Sequence, residues 1–325
     1  MKGDAPGNCA SGVESPFKAV GRAQESMTML LKHQAGFVLL FAASLLVGWR
    51  PLAQLFVLAL HNDEYTYVLL ILPISAALVS LERGALRTLV TLNVRSGSTL
   101  LGVAVLIAFA PLAWPASLSG DSRFSFGILA LVLFWIGAFV LCFGSRASRL
   151  VLFPLCFLFG LVPFPQQFLN TIVALLQLGS AWTAHFLFAV CGIPVAHDGV
   201  LLTIPGLTLQ VAQECSSIRS SLMLLVTTMV LAYLLLRSPW RRALLIALAI
   251  PLSFAKNGLR IFTIAMLGTR VDPSYLTGRF HHQGGIVFFA IALLGIFSLL
   301  WILQRGENSP LNPGLRPAKS NATGD

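Results

Sequence analysis

A cysteine, an arginine and a histidine set at the ends of apolar segments would supply a nucleophile, a cation for a developing oxyanion and an acid/base group. Three polar clusters in the 325-residue sequence have this character: Glu214, Cys215 and Arg219; Lys256, Asn257 and Arg260; and His281 with His282. Cys215 opens a long apolar run, so its thiol falls near the N-terminus of a predicted helix, where unpaired N–H groups and the helix dipole favour a thiolate. Arg219, four residues on, adds positive charge to the same face, and Ser216 and Ser217 offer capping hydroxyls. Glu214 works the other way unless Arg219 or Arg260 neutralises it. Two other readings of Cys215 compete: a buried apolar side chain, and a disulfide to Cys191 in an oxidising compartment.

Arg260 and Lys256 share one face of a predicted helix, with Asn257 beside them. Polar groups so placed more often line a cavity than face lipid, although both long side chains can snorkel to the interface. His281 and His282 read alone as solvated loop residues, and their interest lies in convergence with a thiolate and a cation. The cysteines at 9, 142, 156, 191 and 215 form no CxxC, and there is no HExxH. The sequence therefore carries no metal pattern, and no cofactor is expected.

The elements that must position these residues are membrane-spanning. Hydrophobic side chains make up 56% of the chain and charged ones 10%, against roughly 25% charged in an average soluble domain; mean hydropathy is +0.82. A soluble fold is excluded, and the reading is an all-α polytopic membrane protein of about eight helices. Apolar runs predict spans at 36–60, 65–81, 98–115, 124–143, 150–164, 217–236, 242–267 and 284–303. Residues 1–35 read as a cytoplasmic N-terminal tail, 36–303 as the transmembrane domain and 304–325 as a disordered cytoplasmic tail.

The net charge of +10 suggests nucleic acid in a soluble chain, but here its distribution tracks the membrane. Fifteen of the 22 basic residues fall in the two tails and in 82–97, 144–149 and 237–242. The alternate connections carry only Arg123, Arg270 and Arg279. Basic residues concentrate in the cytoplasm, which puts both termini there and the three polar clusters at the opposite face. No nucleic-acid partner is expected. An odd number of crossings is then required between 150 and 216. The simplest assignment is one span at 150–164, followed by a helix over 166–190 that lies on the outer surface or re-enters. Residues 200–211, VLLTIPGLTLQV, alternate Thr with apolar residues around Pro205-Gly206 and predict a short outer hairpin.

Three ordered motifs then carry a resemblance: Gln213-Glu214-Cys215-Ser216-Ser217-Ile218-Arg219-Ser220-Ser221, Asn257-Gly258-Leu259-Arg260-Ile261, and His281 four residues before Gly285 with apolar Ile286-Val287-Phe288-Phe289. Together with Asp63-Glu64-Tyr65-Thr66-Tyr67 and Gly192-Ile193-Pro194-Val195, they resemble the exosortase/archaeosortase family over about residues 36–303. The resemblance implies a multi-pass cysteine transpeptidase or protease at the outer face of the cytoplasmic membrane. Its substrates would be exported proteins bearing a C-terminal tripartite signal of PEP-CTERM type: a short motif, a transmembrane helix and a basic cluster. It also implies Cys215 as nucleophile, Arg260 as oxyanion- or substrate-stabilising cation and His281 as acid/base. Arg219, Asn257, Ser216, Glu214 and His282 would support the site or bind substrate. The acyl-enzyme would pass to water, or to an amine or cell-surface acceptor whose identity is open. Ser217 stands where the family usually has glycine.

Two rival classes are an anion or small-solute transporter or flippase, using Lys256, Arg260 and His281 as a binding site, and a non-catalytic scaffold for exopolysaccharide export. The transporter reading calls for internal repetition, which the sequence does not display.

Overall fold

The computed structural model describes residues 16–89, 91, 93–113, 120–211, 218–274 and 285–308. The chain forms two compact units, one built from the chain before Phe56 together with Ile71–Pro163, the other from Phe56–Leu70 and the chain from Phe164 onward. Large apolar side chains such as Leu39, Leu106, Phe186 and Leu294 are exposed along the helices, as expected where lipid rather than water is the solvent.

α1 (Pro16–Val47) turns by 74° into α2 (Trp49–His61), and α3 (Val68–Leu81) turns by 66° into α4 (Arg83–Leu89); α2 from Phe56 and α3 up to Leu70 belong to the second unit, the rest to the first. α5 (Val94–Ala113) pairs with α6 (Gly120–Leu150), and α1 packs on α6 through an aromatic cluster of Phe37, Phe41, Phe139 and Phe143. There Trp135 donates its indole N–H to Ser44 Oγ at 2.7 Å, so the one polar atom of the ring is satisfied inside the apolar interface.

Next comes α7 (Leu152–Phe157), which tightens into a 3-10 turn over Leu158–Leu161. These ten residues rise about 15–17 Å, too little for a hydrocarbon layer of about 30 Å. The predicted span at 150–164 is therefore corrected. Pro163 and Pro165 end the segment, since neither can donate to a continuing helix.

The next helix, α8 (Gln166–Val190), in the second unit, is long and apolar enough to span. Its residues meet those of α10 (Pro239–Arg270) in increasing order: Gly179 against Phe254, Ser180 against Asn257, Thr183 and Ala184 against Gly258, and Phe188 against Phe262. Two helices that keep register in this way over several turns run parallel, whereas a helix lying on the surface would cross a spanning one at a single point. Where a helix lying on the outer surface or re-entering was expected, 166–190 is a helix of spanning length packed along α10. Among the described residues six helices have the length and apolarity to span, or up to eight if each bent pair counts as one. That range includes the predicted eight, with 166–190 in place of 150–164.

α9 (Ile218–Leu235) and α11 (Gly285–Asn308) run antiparallel to α10. One buried layer joins Leu224, Ala249, Ala292 and Ile296, and a second joins Ala232, Leu236, Leu245 and Leu300. α8, α9, α10 and α11 thus alternate in direction, so the ends Val190, Ile218, Arg270 and Gly285 lie on one side.

On that side sits a three-stranded antiparallel sheet, β1 (Ala196–Asp198), β2 (Leu201–Ile204) and β3 (Leu207–Gln210), in the order β1-β2-β3. The predicted hairpin is present, turning at Pro205-Gly206 with Gly206 at φ +86°, the left-handed conformation that glycine adopts without steric cost. β1 is an addition, pairing Ala196 with Thr203. Leu202, Ile204 and Val211 turn inward onto Ala181, Ala184 and Phe188 of α8 and Ala265 of α10. In sealed vesicles, an impermeant thiol reagent should reach Cys191 and a Gln166→Cys side chain from opposite faces when each is the sole cysteine; labelling of both from one face would overturn the crossing assigned to α8.

Candidate functional site

A run of α10 from Ser253 to Arg260 departs from the apolar character of the helices around it. Ser253, Lys256, Asn257 and Arg260 are all buried, Lys256 to 4%, Asn257 to 1% and Arg260 to 8% exposure. Those values separate the two readings of the cations. A snorkelling side chain leaves its head at the interface, whereas these heads are enclosed by protein.

Each residue of the central triplet engages a neighbouring helix. Lys256 Nζ donates to Ser220 Oγ of α9 and, at 3.5 Å, to Ser221 Oγ. Asn257 Nδ2 donates to Ser180 Oγ of α8 at 2.9 Å, and Ser180 in turn donates to Leu176 O at 2.6 Å. Gly258 lets α8 come close: a Cβ there would lie 2.5 Å from Thr183 Cβ and 3.0 Å from Ala184 N. At Gly179, one turn below Thr183, the same addition would strike the Phe254 ring at 2.7 Å. Small residues thus bring the two backbones together, and polar ones bond across the gap, as membrane helices associate where burial of apolar surface gives no net drive.

Asn257 Oδ1 has no hydrogen-bond partner among the described residues, although the atom is buried. An acceptor left in this way costs about 1–3 kcal/mol, so a helix interface alone would favour an apolar residue here. The orphaned oxygen is three residues from Arg260, the cation expected at the site.

Arg219 lies in the first turn of α9 and is exposed. Cys215, Glu214, Ser216 and Ser217, between β3 and α9, lie outside the described residues, as do His281 and His282, between α10 and α11. The helix ends that flank these stretches, Ile218, Arg270 and Gly285, are on the side of the sheet. The segment Asp63–Tyr65 forms a 3-10 turn packed against α9, and Tyr65, itself buried, donates its hydroxyl to Phe164 O at 3.3 Å. Cys191 ends α8 as an exposed free thiol. Among the described residues no three His, Cys, Asp or Glu side chains gather as metal ligands.

Sequence reasoning did not single out Ser180, Ser220 or Ser221 as partners of the buried triplet. A signal was available in α8, where Gln177, Ser180 and His185 break an apolar run and, in the sequence alone, are compatible with a surface or re-entrant helix. They instead face protein: Gln177 donates to Val211 O at 3.0 Å, anchoring the end of the sheet, Ser180 receives Asn257, and the His185 ring lies 5.4 Å from that of His197 on β1, with Trp182 against both.

The fold and site define a polytopic membrane protein whose spanning helices are joined by a buried polar seam at the level of Arg260, beneath a small sheet. The chain belongs to the transmembrane exosortase family, whose sequence profile matches residues 58–298. No curated protein and no solved structure matches the chain.

The contact at Gly258 has a measurable consequence. Gly258→Ala should destabilise the detergent-solubilised protein by about 1–3 kcal/mol, the usual cost of overpacking, read as a lower unfolding midpoint, while Gly102→Ala, where an added Cβ meets nothing within 4 Å, should leave the midpoint within error or raise it. Equal midpoints for the two variants would contradict the close approach of α8 and α10.

Proposed function

We propose that the protein is a membrane cysteine transpeptidase or protease that cleaves the C-terminal sorting signal of exported proteins at the outer face of the cytoplasmic membrane. The observation that carries this reading is the family match over 58–298. It takes in Cys215, Arg260 and His281, and Arg260 is buried at a helix seam where a purely structural residue would be apolar.

In this mechanism Cys215 attacks, as the thiolate, the carbonyl carbon of the scissile peptide bond. Negative charge develops on the carbonyl oxygen, and Arg260 supplies the compensating cation. Enclosure by protein strengthens that interaction, because little water screens it. The C–N bond breaks as His281 gives a proton to the departing amine, leaving a thioester. Water or an incoming amine then attacks the thioester, passes its proton to His281 and releases Cys215. Asn257, Arg219, Ser216, Glu214 and His282 are assigned to binding and support.

Positioning of the substrate follows from its own anchor. A tag with a transmembrane helix presents its preceding segment at a fixed height, so much of the entropic cost of aligning the scissile bond is met by the bilayer. α10 supports such a site: Arg260 lies 21 residues after Pro239, or about 31 Å by helical rise, comparable with the hydrocarbon thickness. Beyond it, Ile261, Phe262, Ala265 and Met266 support the sheet. The charge distribution supports cytoplasmic termini and a site on the opposite side.

Cys215→Ala should leave tagged proteins unprocessed in the membrane fraction while the variant is produced and folded at normal levels. Normal processing by Cys215→Ala would sink the proposal, and a transporter or scaffold would tolerate the change. His281→Ala should slow processing by about 10²–10⁴-fold, the usual contribution of a positioned acid/base, with His282→Ala costing under about tenfold. Immunoblots of a tagged reporter over time measure both, and the reverse order would exchange the roles of the two histidines.

A further inference from the structure

Lys256 calls for a separate account. It is buried to 4% exposure within the helix bundle, and its hydrogen-bond partners among the described residues are the two serine hydroxyls of α9. An apolar side chain would fill the same space without the cost of enclosing an amine, which is considerable inside a membrane. The two contacts also fall on one turn of one helix. Ser220 and Ser221 belong to the first turn of α9, and Ser216 and Ser217 alone separate that helix from Cys215 in sequence.

The heights agree. Ser220 lies fifteen residues from the far end of α9, about 22 Å, and Lys256 seventeen residues from the start of α10, about 25 Å, by helical rise. The two helices are antiparallel, so these residues meet side by side rather than through a distorted reach. α10 then places Arg260 one turn further, on the same face as Lys256, while Asn257 and Gly258 lock that stretch of α10 onto α8. Lys256 is thus the link between a braced part of α10 and the first turn of α9.

We propose that Lys256 is a positioning residue: through Ser220 and Ser221 it sets the height, relative to Arg260, of the first turn of α9, the helix that follows Cys215 in sequence. This rests on the reading of Cys215 as nucleophile. The role belongs to hydrogen bonding rather than to charge, because among the described residues hydroxyl groups and no carboxylate receive the amine. A displacement of about 1 Å at a nucleophile costs about 10²-fold, so the link can govern rate without contacting substrate.

The test uses the full-length protein with Cys9, Cys142, Cys156 and Cys191 replaced by serine, and iodoacetamide as the probe of Cys215. Four variants are compared: Lys256→Met, which keeps the bulk but cannot donate; Lys256→Gln, which donates without charge; Lys256→Arg, which donates and keeps the charge; and the double change Ser220→Ala with Ser221→Ala. Lys256→Met and the double variant should lower kcat for a tagged reporter by about 10–100-fold, with KM within about threefold. Both should shift the pH profile of Cys215 alkylation and raise hydrogen exchange in residues 218–225 by about tenfold or more. Lys256→Gln should recover most of all three readouts.

Unchanged exchange in Lys256→Met overturns the link. Raised exchange with wild-type kcat and alkylation shows a purely structural contact and overturns the positioning role. Rescue by Lys256→Arg but not by Lys256→Gln assigns the effect to charge and overturns the hydrogen-bonding account. Failure of the underlying reading appears separately, as normal processing by Cys215→Ala.

Discussion

Inside a bilayer a polar side chain has no water to return to, so each one must find a partner within the protein or pay the full cost of desolvation. That constraint organises the second unit of this protein. Lys256, Asn257 and Arg260 sit on one helix at a depth where every neighbour is apolar by default, and the exceptions are the residues that meet them. Ser180 of α8 and Ser220 and Ser221 of α9 stand opposite the amine and the amide. Gly179 and Gly258 bring α8 near enough for the amide to reach. Because such bonds have narrow distance and angle requirements, they fix the register of three helices in a way that apolar packing alone does not.

The sheet depends on the same arrangement. α10 extends beyond the seam, and its outer turns share a core with α8 and the inward side chains of β2. Phe188 and Phe262 pack edge to face at 4.9 Å. Gln177 ties the end of the sheet back to α8. A surface element of eleven strand residues could not hold its own shape in water; here it rests on two helices whose spacing is already set by Asn257, Gly258 and Ser180. The proposed transpeptidase would need a platform of this kind, since the bilayer fixes the height of an anchored substrate but not its orientation.

Much of this was legible in the sequence where the signal is local. Long apolar runs require lipid, and the split of basic residues between alternate connections gives an expected orientation. Thr alternation around Pro205-Gly206 marks the hairpin, and the three motifs around Cys215, Arg260 and His281 resemble one family. The misreading of 150–164 and 166–190 has a physical origin. Both are apolar, and composition does not report whether an apolar segment stays helical long enough to cross. Pro163 and Pro165 shorten the first, while in the second Gln177 and Ser180 have the polarity of interfacial residues and are hydrogen-bonded to other elements of the protein.

The sequence by itself determined that the chain is a membrane protein of the exosortase type and which residues are candidates for its chemistry, because hydropathy, charge and motif spacing act along the chain. Only the tertiary structure decided that Lys256 and Asn257 face two different helices, that Arg260 is enclosed rather than snorkelling, and that 166–190 runs parallel to α10. Those properties depend on which helices become neighbours and at what height. Residues up to 77 positions apart set that height, through hydrogen bonds that carry no signature in the local sequence.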